Sequence, residues 1–162
     1  MKNLFDTNQE LVAENLDSCK VYENQWYYLR KNNKVSLFTE NQELVAKNLD
    51  GCYVYKNQWY YLNKNNNIHL FNADKELIAE NLDGCYVYNN GWYYLRKNNK
   101  VSLFNASYEL VAEDLDGCHV YENQWYSLNK NNKYSLFNAS YELIAEDLDS
   151  CKVYESGWYS LE

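Results

Sequence analysis

Five tryptophans, Trp26, Trp59, Trp92, Trp125 and Trp158, stand 33 residues apart. An indole face stacks on sugar rings or takes a cation by cation–π attraction. Five equivalent ligand-binding sites of that kind would be weak singly and strong together, through avidity. The same spacing serves a second purpose equally well, one packing anchor per repeat, because burying a Trp removes a large apolar area from water. A Trp that opens a strand in every copy is more often such an anchor, so binding stands as the alternative reading.

Cysteine recurs with the same step, at Cys19, Cys52, Cys85, Cys118 and Cys151. Metal ligands come grouped, a few residues apart in sequence or mixed with His. Here each Cys stands alone, and the only histidines, His69 and His119, fall at different places in the unit. Disulfides need Cα atoms within about 7 Å, which symmetry-related repeats do not offer. Reduced, buried thiols follow as the expectation, with no metal and no cofactor. Asp17, Asp50, Asp83, Asp116 and Asp149 sit just before the cysteines. One carboxylate per loop falls short of a calcium shell, so these are read as turn-forming side chains. Catalysis needs unlike residues converging on one place, whereas strict repetition yields five copies of one surface. No catalytic residue is assigned, and the chain is expected not to be an enzyme. The position after each Cys does vary, as Lys20, Tyr53, Tyr86, His119 and Lys152. It is either a solvent rim or a place where specificity is tuned, and the rim is preferred.

The elements that must carry these residues repeat as well. Leu-Phe pairs begin at Leu4, Leu37, Leu70, Leu103 and Leu136, so one repeat domain over residues 1–162 divides into units 4–36, 37–69, 70–102, 103–135 and 136–162. The period is near that of two helical repeat families, but the chain has no proline, and its short runs of Tyr, Val, Trp and Phe have strand composition. In the second copy Val35–Phe38, Glu43–Lys47, Cys52–Tyr55 and Trp59–Leu62 are the strand runs. Asn57-Gln58 and Asn65-Asn66 are expected as two-residue hairpin loops, because Asn tolerates positive φ. Both faces of the Cys and Trp runs are apolar, which calls for sheets covered on both sides. Face-to-face packing of four-stranded sheets around an axis meets that demand. The expected fold class is therefore all-β, a five-bladed β-propeller of near-identical repeats, with an open β-array or solenoid as the alternative. The blade boundary is placed at Asn48–Gly51, a crossing of roughly four to five extended residues. Within a blade the order is then Cys run, Trp run, Leu-Phe run, Leu-Val-Ala run. Asn3–Ala13 would supply the outer strands of a blade whose inner strands lie in Cys151–Leu161.

Composition narrows the partners. Hydrophobic residues make up 46% of the chain, which is not a disordered composition, and the net charge is −8. A uniformly acidic chain is repelled by phosphate backbones and anionic lipids, so neither nucleic acid nor membrane is expected as partner. No apolar run reaches the roughly 18 residues of a membrane span. Met1–Asp6 has no apolar signal-type core, and with unpaired cysteines the expected compartment is cytoplasmic.

The tract Asn123-Gln124-Trp125-Tyr126-Ser127-Leu128-Asn129-Lys130-Asn131-Asn132-Lys133 resembles the bacterial WG β-repeat family. Shared features are a Trp opening a short strand, an Asn/Gly turn and an aliphatic strand. The chain departs from that pattern where Tyr27, Tyr60, Tyr93, Tyr126 and Tyr159 replace the Gly after Trp. The resemblance implies a non-catalytic repeat scaffold. Over one hairpin, Trp59-Tyr60-Tyr61-Leu62-Asn63 is similar to choline-binding cell-wall repeats, in which aromatic side chains cage a quaternary ammonium. By architecture alone, five-bladed lectins carry one sugar site per blade. The functional expectation is a scaffold binding a protein partner, with multivalent binding of a glycan-type or cell-envelope ligand through the Trp/Tyr sites as the alternative. A monomer is expected, with a strand-swapped oligomer as the variant.

Overall fold

Short runs of Val, Leu, Tyr and Phe, punctuated by Asn and Gly, become twenty β-strands and no helix in the computed structural model, which describes residues 1–162. The first two, β1 (Lys2–Phe5) and β2 (Leu11–Leu16), form a two-stranded sheet. Next come β3 (Ser18–Val21), β4 (Tyr27–Lys31), β5 (Lys34–Phe38) and β6 (Leu44–Leu49), a four-stranded antiparallel sheet in chain order. The same sheet recurs as β7 (Gly51–Val54), β8 (Tyr60–Lys64), β9 (Asn67–Phe71) and β10 (Leu77–Leu82). It recurs again as β11 (Gly84–Val87), β12 (Tyr93–Lys97), β13 (Lys100–Phe104) and β14 (Leu110–Leu115), and as β15 (Gly117–Val120), β16 (Tyr126–Lys130), β17 (Lys133–Phe137) and β18 (Leu143–Leu148). Finally β19 (Cys151–Val153) and β20 (Tyr159–Leu161) form a two-stranded sheet of their own. The strand order Cys run, Trp run, Leu-Phe run, Leu-Val-Ala run is the one the spacing predicts. The protein is an all-β repeat array of propeller-like four-stranded sheets.

Turn chemistry sets each hairpin. Asn65 and Asn66 both have positive φ (53° and 62°), and Lys64 pairs with Asn67 across them. That is the two-residue mirror-image turn whose twist matches the flanking strands. The loop holding Asn57-Gln58 is one residue longer than expected. Tyr55 N–H donates to the Trp59 carbonyl at 2.8 Å, and Gln58 N–H to the Tyr55 carbonyl at 3.0 Å. Lys56, Asn57 and Gln58 therefore form a three-residue loop ending in a left-handed residue (Gln58, φ 70°). The third loop is built alike: Asn72 Oδ1 accepts from the backbone N–H of Asp74 and of Glu76, each at 3.0 Å.

The expected crossing loop between sheets does not exist. Leu49 still pairs with Val35 in one sheet, while Asp50 N–H already donates to the Asn63 carbonyl of the next at 2.9 Å. A bulge replaces the loop: the β5–β6 register slips twice, and Asn48 takes φ 59°. Bulges bend a strand and raise its twist, so the chain passes from β6 to β7 of the next sheet through Asp50 alone. The bulge also roughens an outer edge that would otherwise invite unwanted strand pairing.

The chain divides into two compact units, Met1–Asn81 and Leu82–Glu162. In the first, Tyr22, Trp26, Leu37, Val54 and Tyr60 form the core. In the second, Trp92, Val101, Leu103, Leu115, Val120 and Tyr126 do so. The third strand of each full sheet carries the most deeply buried residue: Leu37, Leu70, Leu103 and Leu136 are each 0% exposed.

Candidate functional site

A short turn brings each Trp to the head of its strand. The side-chain oxygen of Asn24 accepts from Trp26 N–H at 3.1 Å, and Asn90 does the same for Trp92 at 3.0 Å. The indoles then point into the neighbouring repeat. Trp26 lies 5.2 Å from Tyr60, Trp92 5.2 Å from Tyr126 and Trp125 5.2 Å from Tyr159, centroid to centroid. Trp92 also stacks on Tyr141 at 5.9 Å, and the Lys75 ammonium sits 5.8 Å over Trp26. Trp26, Trp59 and Trp92 are only 4–8% exposed, Trp125 is half-buried, and Trp158 is 79% exposed. The five equivalent residues of the sequence thus occupy unequal environments.

A different set of aromatics reaches the surface in part, Tyr53 and Tyr86 standing half-exposed on a frame of more deeply buried tyrosines. In the first unit Tyr22, Tyr53, Tyr55 and Tyr61 form a connected band, with Tyr22–Tyr53 at 5.8 Å and Tyr53–Tyr55 at 4.9 Å, both edge-on. Tyr53 stacks on Tyr61 at 6.1 Å. The Lys20 ammonium caps this band, 5.0 Å from the Tyr22 ring and 5.5 Å from that of Tyr53. A groove of about 190 Å³ runs alongside, lined by Lys20, Tyr22, Glu23, Tyr53, Tyr55 and Lys56 among others. In the second unit the same band reads Tyr86, Tyr88, Tyr94, His119 and Tyr121, with His119 edge-on to Tyr88 at 5.9 Å and to Tyr121 at 4.6 Å. The equivalent groove there is about 310 Å³, and His119, Tyr121, Glu122, Tyr154 and Glu155 line it. One aromatic frame therefore carries two lysines and a carboxylate in one unit, and two carboxylates with a histidine in the other.

Burial governs the ionisation of this frame. It pushes the Tyr22 and Tyr88 hydroxyls far above the ordinary phenol range, and the nearby thiols and phenols add to the shift. It lowers the basicity of His119, which favours a neutral imidazole. The Cys52 thiol is pushed up to about 11 and that of Cys118 to about 12, again by burial first. All five cysteines are free thiols. Tyr22 Oη donates to the Cys52 carbonyl at 3.4 Å, tying one sheet to the next.

The aspartates do more than form turns. Asp116 Oδ2 accepts from the Asn131 N–H at 2.7 Å, in the hairpin that follows, while Lys100 Nζ of the preceding sheet donates to Oδ1 at 2.8 Å. Asp50 has the same two partners in Lys34 and Asn65. Each is a staple between consecutive sheets, and these bonds hold the Asp50 and Asp116 carboxyls below the usual value. No three His, Cys, Asp or Glu side chains are grouped as metal ligands would be.

The sequence points at the variable position 20/53/86/119/152 but not at its constant neighbours Tyr22, Tyr55, Tyr88, Tyr121 and Tyr154. Their period-33 recurrence was the available signal. It is masked because tyrosine is so abundant elsewhere in the unit.

No protein-family model and no curated relative matches this chain. Among solved structures, a eukaryotic initiation factor is similar at 10% identity with a TM-score of 0.52, over 97% of this chain and 53% of its own. This chain therefore spans about half the length of that protein, and the likeness speaks for the fold alone. A protein of unknown function from Bacteroides caccae, at 10% identity and TM-score 0.35, covers 91% of this chain and 69% of its own. The surface component PorZ of the Porphyromonas gingivalis type-IX secretion system, at 9% identity and TM-score 0.42, covers 88% and 22% respectively. No helix is long and apolar enough to cross a membrane.

Proposed function

We propose that this chain is a non-catalytic scaffold of WG-repeat type that binds a protein partner through its tyrosine-lined grooves, in a cytoplasmic setting. The observation that supports this most is the constant tyrosine frame with a changing residue set into it: Lys20, Tyr53, Tyr86, His119 and Lys152. Tyrosine is enriched at protein interfaces because it combines a large rigid apolar ring with a polar tip. Varying one neighbour from copy to copy makes the copies unlike one another in charge and shape, which suits a single large partner better than several identical small ligands. The test is capture from source cells with wild-type chain and with Tyr53→Ala/Tyr86→Ala. The reading expects one partner at fixed stoichiometry, lost with the double substitution.

Multivalent glycan or cell-envelope binding is the second reading, favoured by the half-exposed Tyr53, Tyr86 and Tyr154. Titration with glycans, muropeptides and choline, followed by Trp emission, separates the two. Saturable binding at several sites per chain supports the second reading, and silence across the series supports the first.

A further inference from the structure

We infer that a groove in the second unit, between the β13–β14 loop and the next sheet, docks a basic segment of a protein partner, an arginine lying over the Tyr141 ring and pairing with Glu109. The kind of partner rests on the scaffold reading, but the site uses none of the residues that line the tyrosine grooves. It measures about 570 Å³ and is lined by Asn105, Glu109, Leu110, Val111, Tyr126 and Tyr141 among others. Both sheets that form it are complete. Rings make its floor: Tyr126 stacks on Phe137 at 5.0 Å, and Tyr141 lies 5.9 Å from Trp92 and 6.1 Å from Tyr126. Tyr141 and Leu110 are each 50% exposed. Tyr141 is also held at φ 64°, where a bulky side chain is uncommon and where strain accompanies binding sites. The same place in the first three copies carries Gln9, Gln42 and Lys75, so the fold itself does not require an aromatic there.

Charge identifies the occupant. One repeat earlier, Asn72 Nδ2 donates to the Glu76 carboxylate at 2.9 Å. Asn105 Nδ2 turns instead to the Tyr141 hydroxyl at 3.1 Å, while its Oδ1 accepts from Ser107 and Glu109 N–H. The Glu109 carboxylate is left without a partner in the chain, and no Lys or Arg lines the groove. The surroundings add to this. Met1–Asn81 holds nine basic and eleven acidic residues, Leu82–Glu162 six and twelve, so the net charges are −2 and −6. The first unit shows what such a place accepts. There Lys75 stands where Tyr141 stands in the second, and its ammonium lies 5.8 Å over Trp26, the counterpart of Trp92. The first unit thus supplies its own cation, whereas the second offers rings and a carboxylate with no cation between them. Arginine fits that vacancy in chemistry better than lysine, because its planar guanidinium stacks on an aromatic face while its fork pairs with a carboxylate. Leu110 and Val111 give apolar neighbours of the arginine a wall to rest on.

The test is titration of the isotope-labelled 162-residue chain with the blocked pentapeptide Gly-Leu-Arg-Leu-Gly, followed by backbone amide shifts. Saturable shifts are expected at residues 105–111 and 137–142, weakening as salt screens the exposed pair. Replacing the peptide's arginine by glutamine should weaken binding about five- to ten-fold, and Glu109→Gln about two- to five-fold. Tyr141→Lys, which copies the first unit and places an ammonium over Trp92, should abolish binding with the strand signal in circular dichroism unchanged. Glu109→Lys should bind the glutamate peptide in place of the arginine one. No shift up to millimolar peptide, equal binding of the arginine and glutamine peptides, or indifference to Glu109→Gln and Tyr141→Lys each overturn the inference. So do shifts confined to residues 20–24 and 53–56, which would place the peptide in a tyrosine groove. The two readings fail separately. Peptide binding at this groove without capture of any partner from cells counts against the scaffold reading alone, and partner capture without peptide binding counts against this site alone.

Discussion

Gln58 and Gly91 hold the same place in two copies of the unit, both with positive φ, 70° and 88°. A side chain pays for the left-handed region with a clash between Cβ and carbonyl, of about 1–2 kcal/mol. Gln58→Gly is therefore expected to raise stability by about 0.5–1 kcal/mol, the gain being reduced by the freedom glycine adds to the unfolded chain. Gly91→Ala should act in the opposite direction, because its new Cβ would also lie 3.1 Å from Cβ of Ala106. Urea midpoints at constant slope check both. Asp116 illustrates the electrostatics at the same scale. Its bonds from Lys100 and Asn131 hold its pKa below the ordinary 3.8. A lowered folded pKa means stability that is present above the unfolded value and lost as the pH falls through the folded one. Melting temperature should thus drop on acidification below about pH 4, and Asp116→Asn should flatten that part of the profile while lowering the plateau at neutral pH. Burial raises Cys52 and Cys118 to about 11 and about 12, so few thiolates are available in the folded protein. Both should resist alkylation at mildly alkaline pH and react quickly in denaturant, which peptide mass mapping reads directly.

At the scale of the element, the third strand of each sheet is the keystone of packing. β9 and β13 each put a fully buried leucine, Leu70 and Leu103, between hydrogen-bonded neighbours on both sides. Truncating such a side chain removes its transfer free energy and leaves a cavity that rigid ladders cannot collapse into. Leu70→Ala and Leu103→Ala should each cost about 2–5 kcal/mol by chemical denaturation. Leu77→Ala, at the exposed start of β10, should stay within about 0.5 kcal/mol. Equal losses at Leu70 and Leu77 would contradict this account of where the core lies. The same strands explain why the hairpins are legible in the sequence. Asn65-Asn66 and its copies carry their conformation in two adjacent residues, and nothing distant is needed to form them.

For the molecule as a whole, repetition implies that stability is close to a sum over sheets and the interfaces between consecutive sheets. The Lys100–Asp116 and Lys34–Asp50 staples and the Trp-to-Tyr contacts are the interface terms in residue form. Deleting residues 70–102, one whole period, joins His69 to Leu103 without altering the order of strand types. The shortened chain is expected to keep its strand signature and melt cooperatively at a lower temperature, as followed by circular dichroism. Collapse to an unfolded chain would show that stability is not distributed repeat by repeat.

Strand identity, strand order and the repeat register were determined by sequence alone, because they depend on local quantities: β-branched and aromatic runs, Asn-rich turns, and a period without insertions. The hairpin at Asn57-Gln58 was found but made one residue too short, since a left-handed Gln carries no compositional mark as Gly does. The sheet boundary was set near Asp50, yet the loop assigned to it proved to be a bulged strand, because an Asn at positive φ reads the same in a turn and in a bulge. What only the tertiary structure decided were the relations between repeats. Trp26 and Trp158 hold the same place in the repeat, and one is buried while the other is exposed. The difference lies in whether a neighbouring sheet stands against them. Burial is a property of what packs there, and in a chain of copies no single copy can state it.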